Sequence, residues 1–590
     1  MSPVEEYSQR LAERESRLGP LDNLNARIGS IRLGIGASFL IIAWMCFGPW
    51  KIEAWWLGVP VAAFILALIY HQRIRTLRIQ AQRAVALYQD GLARLQDRWN
   101  GTGETGRRFE LPHHIYAEDL DLFGSGSLYQ LLCAGRTQMG ENALAQWLLA
   151  PADIDIIRAR HAAIADLRNR VSLRESLAIE GDTLRIELHP NTLTAWGSSP
   201  NRLKGLWMRI AAFALALLGV ASLASWAAWG LLYPLLAIIL IEAAVASALR
   251  RPIRAAITTV ESAFEDLKGL SVLFRRIESE PFQAASLIAL QLKMSSHSRP
   301  ASAAIARLAT IVNFVEARRN PILAPFLLLL MYPLQAALAA EAWRSAHGAG
   351  IATWLEALGE FEALNSLARY AFEHPEDPFP EFVQGAPAFK AVALGHPLIP
   401  AAARVCNDVD IGGRTRVLLV SGSNMSGKST LLRTIGINTV LAMAGAPVRA
   451  GSLQLTPLQV GASIRINDSL HEGSSRFYAE ITRLRQLFEP MQLPLLFLLD
   501  ELLQGTNSAD RRVGAQGLIR ALIKRGAIGL ISTHDLALTD IEGLQPGAIE
   551  NVHFQDELVD GALKFDFKLH SGIVTKSNGI ELMRSIGLDV

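Results

Sequence analysis

The stretch Val417-Leu418-Leu419-Val420-Ser421-Gly422-Ser423-Asn424-Met425-Ser426-Gly427-Lys428-Ser429-Thr430-Leu431-Leu432 decides the fold of the C-terminal part of the chain. Four apolar residues read as a buried strand. They run into a G-x-x-x-x-G-K-S loop and then a helix start, which is the order a phosphate-cradling loop requires. Gly422 and Gly427 let the backbone curl so that its N–H groups face phosphate oxygens. Lys428 has the reach for the β and γ phosphates of ATP, and Ser429 offers a hydroxyl to Mg²⁺. The helix N-terminus adds partial positive charge. Gly422 through Thr430, with Ser423, Asn424, Met425 and Ser426 between the glycines, is therefore the candidate nucleotide-binding loop. A chance glycine-rich turn would lack the flanking strand and helix.

A phosphate loop needs a second element to hold the metal and aim a water. Leu495-Leu496-Phe497-Leu498-Leu499-Asp500-Glu501 reads as a central strand ending in two carboxylates. Asp500 is the candidate Mg²⁺ residue, and Glu501 is placed to orient or deprotonate the attacking water. Alone the pair would read as a solvated strand end; the loop about 70 residues upstream gives it a task. A third run, Leu530-Ile531-Ser532-Thr533-His534-Asp535, reads as another strand of the same sheet. At its end His534 is a candidate sensor of the γ-phosphate, where an isolated histidine would read as structural.

Outside these runs the composition is unusual. The chain has 590 residues, of which 50% are hydrophobic and 19% charged, below the roughly 25% charged of an ordinary soluble protein. The mean hydropathy is +0.23. Lys and Arg exceed Asp and Glu by 57 − 55 = 2. This excludes a strongly basic nucleic-acid coat and an acidic tail protein, though not a local basic patch. Three isolated cysteines, Cys46, Cys133 and Cys406, form neither a metal pattern nor a disulfide framework, so a reducing compartment is expected.

The hydropathy concentrates in pairs of runs. Leu33–Trp50 and Trp55–Tyr70 form one pair; Ile210–Trp226 and Ala228–Ala248 form a second. At about 1.5 Å per residue the first pair reaches roughly 27 and 24 Å, just short of a hydrocarbon core of about 30 Å. Trp50, Trp55, Trp56 and Tyr70 stand at the ends, where aromatic rings settle at headgroups. Glu242 lies a few residues from the end of its run, within reach of the interface. Arginines and lysines flank both pairs on their outer sides (Arg27, Arg32, Arg73, Arg75 and Arg78; Arg202, Lys204, Arg209, Arg250, Arg251 and Arg254). The positive flanks place the remaining chain in the cytoplasm of a bacterial-type inner membrane, with both hairpins inserted. Pro321–Ala340 is apolar too, but carries Pro325, Pro333 and Gln335. It reads as a buried or membrane-surface helix, because a fifth span would move the nucleotide site away from ATP. Arg73–Asn100 reads as a polar stalk helix, and Gly101–Gly106 as a linker.

The motifs together resemble the MutS family of ATPases. Asn424-Met425 ahead of Ser426-Gly427-Lys428-Ser429-Thr430 is similar to that family's Walker A loop. Asp500-Glu501, followed by Gly505-Thr506-Asn507-Ser508 and Asp510, resembles its Walker B and the loop after it. Asn467-Asp468-Ser469-Leu470, Gly473-Ser474-Ser475-Arg476-Phe477 and Glu480 resemble its signature helix. That resemblance implies that Ser474 and Ser475 complete the partner subunit's ATP site in trans, and that His534 is the switch histidine. Gly395-His396-Pro397-Leu398 with Asn407-Asp408 is similar to the family's lead-in, and Lys576–Ile580 with Gly587-Leu588 to its closing segment. Leu122–Leu128, Thr137–Gly140 and Leu144–Pro151 resemble the start of its core and lever region.

The departures from the family pattern are equally specific. A membrane hairpin stands where the mismatch-wedging domain is expected. Phe379-Pro380-Glu381, a literal Phe-x-Glu, lies just before the ATPase region and reads as coincidence. The sequence ends at Val590, and neither the family's C-terminal extension nor a nuclease domain is expected. Arg449 stands where an uncharged residue is expected.

The expected architecture is an α/β P-loop NTPase domain of the ABC/MutS type over 386–590. It follows an all-α core and lever domain over 107–385, which carries a hairpin at about 210–248. Residues 1–100 supply the first hairpin, at about 33–70. The resemblance implies a dimeric, Mg²⁺-dependent ATPase acting on DNA; a membrane-tethered clamp on a non-DNA partner is the alternative. A transporter ATPase fits least, since Leu-Ser-Gly-Gly-Gln is absent. Arg158, Arg160, Arg275 and Arg276 are the candidate DNA contacts, against a plain reading as solvated helix faces.

Overall fold

The computed structural model describes residues 1–48, 50, 52–181, 190–201, 203, 205–262, 264–296, 299–316, 324–465, 476–503, 507–534, 547–559 and 562–574. They form two compact units, each built from discontinuous pieces of chain. One comprises Met1–Trp99, Arg170–Glu280 and Lys293–Leu355; the other comprises Asn100–Asn169, Pro281–Leu292 and Glu356–Val590.

The first unit is helical. Its opening helix, Pro3–Phe47, starts on a reciprocal cap: Ser2 Oγ accepts from Glu5 N, and Ser2 N donates to the Glu5 carboxylate. The polar N-terminus and the first apolar run are thus one continuous rod. The second apolar run is likewise continuous with the expected stalk, as Gly58–Leu95. The two rods pair along their polar lengths. Arg78 and Asp22 form an ion pair, and His71 bridges Arg32 and Asn25 at 3.0 and 3.1 Å. Gly91 matters here, because a Cβ would lie 2.7 Å from the Tyr7 ring. Arg14 Nε and Tyr88 Oη meet Glu175 at 2.6 and 2.9 Å, anchoring the rods to the helix Val171–Gly181.

The second apolar pair forms the helices Leu206–Trp229 and Leu232–Ala248, turned at Gly230 with φ 70°. Among the described residues, three helices have the length and apolar character to cross a membrane. The bent pair Leu232–Ala248 and Arg250–Ile257 makes a fourth if it counts as one span. Glu242 does not reach outward as its position in sequence suggests; it is 6% exposed. Gly219 makes room for it, since a Cβ there would sit 3.1 Å from the Glu242 carboxylate. The stretch Pro321–Ala340 is broken, with 321–323 outside the described residues. Ala324–Leu329 ends before Met331, whose φ is 49°, and Tyr332–His347 follows with Leu334, Ala336, Ala337, Leu338 and Ala340 buried. Pro333 is tolerated because it falls in the first turn.

The second unit holds two sheets. In the larger, the spatial order is Ala562–Ser571, Ile549–Val559, Val417–Ser421, Ile528–Thr533, Leu495–Leu499 and Gln459–Ser463. All neighbours are parallel except the first pair. Val417–Ser421, Leu495–Leu499 and Ile528–Thr533 are buried at every position, as expected for a parallel sheet covered on both faces. One face carries Val417, Leu419, Phe497, Leu499 and Ile531 against Leu484, Ile519 and Leu522. The other receives the helix Lys428–Ala444, which is buried at every position from Thr434 onward. Gly436 sets that approach: a Cβ would meet Leu120 and Leu498 at 2.6 and 2.7 Å. The smaller sheet orders Glu381–Phe382, Ser452–Leu455, Ala388–Leu394 and Asn407–Gly412.

Arg449, unexpected in sequence, has a clear place. It is 7% exposed and holds Glu376 Oε1 at 2.7 Å and Asp377 Oδ1 at 3.0 Å. Tyr370 Oη donates to the other oxygen of Asp377 at 2.8 Å. Phe379 of the Phe-Pro-Glu triplet packs on His161 at 4.5 Å between ring centroids, a structural role. Arg160 is not a free surface cation: it donates to Ala444 O at 2.8 Å and lies 3.6 Å from the Trp147 ring centroid. Burial pushes it down to about 10. Arg158 and Arg276 face Asp155 and Glu280 at 3.7 and 2.9 Å.

Candidate nucleotide site

The site is assembled at the C-terminal ends of three adjacent parallel strands. This is where an open α/β sheet presents its loops to ligand. Val417–Ser421 delivers the phosphate loop, Leu495–Leu499 delivers Asp500 and Glu501, and Ile528–Thr533 delivers His534. The central place of Val417–Ser421 and Ile528–Thr533 in the sheet makes these three ends neighbours.

The loop is tight. Gly422 has φ 150° and Gly427 φ 106°. A Cβ at Gly422 would lie 2.8 Å from Ser426 Oγ, and one at Gly427 would lie 3.2 Å from the Phe567 ring. Met425, with φ 68°, stands at the crest and is 88% exposed. Lys428 opens the helix Lys428–Ala444 and donates to Gly422 O at 2.9 Å and Ser423 O at 2.8 Å. Burial pushes its ammonium below the ordinary lysine value, while the Glu501 and Asp500 charges partly restore it. Among the described residues, Ser423 Oγ and Ser426 Oγ are buried in the loop without a hydrogen-bond partner. Two orphaned hydroxyls, a lysine and a helix N-terminus fit an oxyanion such as a phosphate chain.

The second edge of the site is held by Ser532. Its Oγ donates to Asp500 Oδ1 and accepts from Glu501 N at 3.1 Å. Glu501 N also points at Ser532 O, at 3.2 Å. Glu501 adopts φ 50°, a left-handed turn that ends the strand and swings its carboxylate toward His534. The separation from Glu501 Oε1 to His534 Nδ1 is 3.3 Å. Such off-region backbone at a site is consistent with function. Among the described residues there is no group of three or more His, Cys, Asp or Glu suited to a metal. Ser429 offers a hydroxyl and Asp500 a carboxylate, a sparse pair of hard-oxygen donors. That suits Mg²⁺, which binds few side chains and takes its remaining ligands from water and phosphate.

Ser474 and Ser475 lie outside the described residues, as do Asn467–Gly473, Gly505, Thr506 and the closing segment from Lys576 to Leu588. Their flanks are firmly held. Asp119 Oδ1 accepts from Ile464 N and Arg465 N, both at 2.7 Å, and Asp119 pairs with Arg483. Across the site, Glu480 Oε1 accepts from Leu503 N at 2.6 Å. The signature helix Arg476–Gln486 is thereby tied to the loop that carries Asp500 and Glu501. Asn507 caps the next helix, Ser508–Lys524, by accepting from Asp510 N at 2.9 Å.

A cavity that the sequence did not announce adjoins the loop. Ile399, Val405, Asn407, Thr430, Phe554 and Phe567 are among its walls. Asn407 fixes the outer strand there: its Nδ2 donates to Phe567 O at 3.0 Å and its Oδ1 accepts from Leu569 N at 2.8 Å. Asn407 stood out in sequence beside Asp408. Phe554 and Phe567 carried no signal, because an aromatic in an alternating strand is ordinarily core.

Residues 418–589 match the family model for MutS domain V. The chain is 32% identical over 248 residues to a protein of Thermus thermophilus called endonuclease MutS2, covering 42% of this chain and 32% of that protein. It is 35% identical over 194 residues to the DNA mismatch repair protein MutS of an Exiguobacterium species, covering 32% of this chain and 23% of that one. These matches support membership of the MutS family. The chain spans about a third or less of the length of these MutS relatives. The mixed α/β sheets and the helical region fit a MutS-like ATPase domain.

Proposed function

We propose that this protein is a membrane-anchored MutS-type ATPase that works as a dimer on DNA. The observation that carries the proposal is the convergence of Lys428, Asp500, Glu501 and His534 at neighbouring strand ends. In this reading the loop N–H groups, Lys428 and the Ser426 hydroxyl bind the phosphates. Ser429 and Asp500 hold Mg²⁺, which neutralises phosphate charge when bound. Glu501 orients the attacking water and accepts its proton, while His534 fixes the Glu501 carboxylate and senses the γ-phosphate. The cavity walled by Ile399, Val405, Phe554 and Phe567 takes the adenine, whose flat apolar faces suit aromatic walls. Ser474 and Ser475 reach the nucleotide of the partner subunit.

The anchors are the two hairpins around 33–70 and 210–248, in a bacterial-type inner membrane with the ATPase unit in the cytoplasm. Their support is length, apolar composition and exposure: Leu40, Trp44, Phe47, Leu66, Phe213 and Leu240 are all more than half exposed. A large exposed apolar surface of this kind marks contact with lipid or another protein.

The test is ATP hydrolysis and DNA binding by detergent-purified protein. Matched, mismatched and branched duplexes are titrated over a range of salt. DNA action predicts affinity that falls steeply and linearly in log–log form with salt, as phosphate counterions are released. Mg²⁺-dependent hydrolysis without binding to any of the three duplexes would shift the function to a non-DNA partner. Of the candidate DNA contacts, Arg160 is engaged within the protein by Ala444 O and the Trp147 ring, and at that position the second reading is favoured.

A further inference from the structure

In the first unit, a cavity of about 560 Å³ opens where the helix Leu206–Trp229 begins. Arg209, Arg299 and Arg307 line it, each from a different segment, together with Phe213, Leu338 and Trp343. Among the described residues, no aspartate or glutamate is in its walls. Among the described residues none of the three arginines has a carboxylate partner; Arg209 makes one long contact, to Leu338 O at 3.4 Å. Elsewhere in the unit Arg10, Arg14, Arg78, Arg170 and Arg276 face carboxylates, while Arg32 and Arg83 are held by His71 and by Ile179 O. Three guanidiniums brought together without a counter-charge repel one another unless an anion joins them.

The cavity continues into an apolar track. Arg209, Phe213 and Leu217 recur every fourth residue and so share one helix face. Phe213 is 68% exposed and Leu217 62%. A charged cup thus opens at the head of a lipid-length stripe. Guanidiniums pair with phosphate in bidentate fashion, and basic pockets between helices at the cytoplasmic side suit anionic headgroups.

We propose that this cavity binds the headgroup of an acidic phospholipid, with an acyl chain laid along Phe213 and Leu217. Arg209, Arg299 and Arg307 hold the phosphate, and Trp343 and Leu338 form the apolar floor. The inference rests on the reading of Leu206–Trp229 as a membrane span. The site would make the anchor selective for acidic lipid at a point beside the helix Tyr332–His347.

The experiment titrates the full-length protein in detergent with dioleoyl phosphatidylglycerol or dioleoyl phosphatidylcholine and reads bound lipid by native mass spectrometry. The first phosphatidylglycerol should bind at least about tenfold more tightly than phosphatidylcholine, whose choline brings a further positive charge to three guanidiniums that both lipids' phosphates would otherwise satisfy alike. The double variant Arg299→Gln/Arg307→Gln should lose that preference. Both side chains are on the surface, and circular dichroism checks that the fold is kept. Ala342→Phe narrows the cavity without touching charge and should weaken phosphatidylglycerol binding as well.

Equal affinity for the two lipids, or an unchanged preference in the double variant, overturns the proposal. Displacement of phosphatidylglycerol by millimolar inorganic phosphate would assign a simple anion site and overturn the lipid. A DNA duplex whose binding is lost in the double variant, with lipid binding unaffected, would do the same. Carbonate extraction of the source membranes reports insertion separately. Protein that resists extraction but lacks the lipid preference refutes the cavity assignment and leaves the anchor standing.

Discussion

Lys428 and Glu501 have separable tasks, and single substitutions should separate them. Lys428→Ala leaves the phosphate charge uncompensated, so nucleotide binding should be lost in an equilibrium titration with a fluorescent ATP analogue. Glu501→Ala should still bind ATP but turn over at least about 10²-fold more slowly in a phosphate-release assay, the lower range for one acid–base group. Normal turnover in that variant would remove Glu501 from the chemistry. Arg449 belongs to a different class. Asp377 is fully enclosed beside it, with a side chain 1% exposed. Arg449→Met strands that carboxylate and should cost about 3–5 kcal/mol, as for other broken buried pairs. A denaturant midpoint measures it, and pairing the change with Asp377→Asn should recover part of the loss.

At the scale of elements, the second unit keeps two buried histidines, His396 and His374, neutral as structural parts. His396 precedes the strand Asn407–Gly412, and its Nδ1 accepts from Leu398 N at 3.2 Å, which a protonated nitrogen would forbid. Burial, helped by the charges of Arg433 and Arg404, pushes it down to about 4. His374, at the end of the helix Gly350–Glu373, is also held at about 4, by burial and by Arg449. In the unfolded chain these rings titrate near 6.5. The unfolded state therefore binds more protons between pH 6.5 and 4, and stability falls as pH drops through that window. Thermal melts from pH 7 to 4 should show this. His396→Gln should flatten the decline relative to the unmodified protein, and identical slopes would refute the assignment. The elements themselves were largely legible. The strands around the phosphate loop and the Asp-Glu pair are unbroken apolar runs with turn residues behind them. The continuity of stalk and span was not legible, because a helix that leaves a membrane changes polarity without changing conformation.

At the scale of the whole molecule, the proposed dimer makes a prediction that no single chain can satisfy. Lys428→Ala chains lack a working loop, and Ser475 variants lack the segment offered to the partner. Each should be inactive alone. Mixed together they form one intact composite site per heterodimer and should regain part of the ATPase activity. Heterodimers that form and stay inactive would rule out a shared site. Dilution in detergent should also reduce activity through the dimer dissociation constant, where a membrane would mask it by raising local concentration.

What the sequence determined by itself was the chemistry of the loop and the alternation of strand and helix around it. A Gly-x-x-x-x-Gly-Lys-Ser run between an apolar strand and a helix has one backbone solution, because two glycines must turn where side chains would collide. Local pattern also marked the apolar runs, since hydropathy is a sum over neighbours in the chain. Tertiary structure decided the rest. Glu242 turned inward because Gly219, on the neighbouring helix, left space for it. Arg449 became a buried partner of Asp377, and Arg160 a cover for Trp147, through contacts more than a dozen residues apart. Phe554 came to the nucleotide loop by the parallel pairing of Ile549–Val559 with Val417–Ser421, and Phe567 by the antiparallel pairing of Ala562–Ser571 with Ile549–Val559. Arg209, Arg299 and Arg307 met in one cavity. Such pairings depend on which distant surfaces pack together, and no local propensity or spacing encodes that.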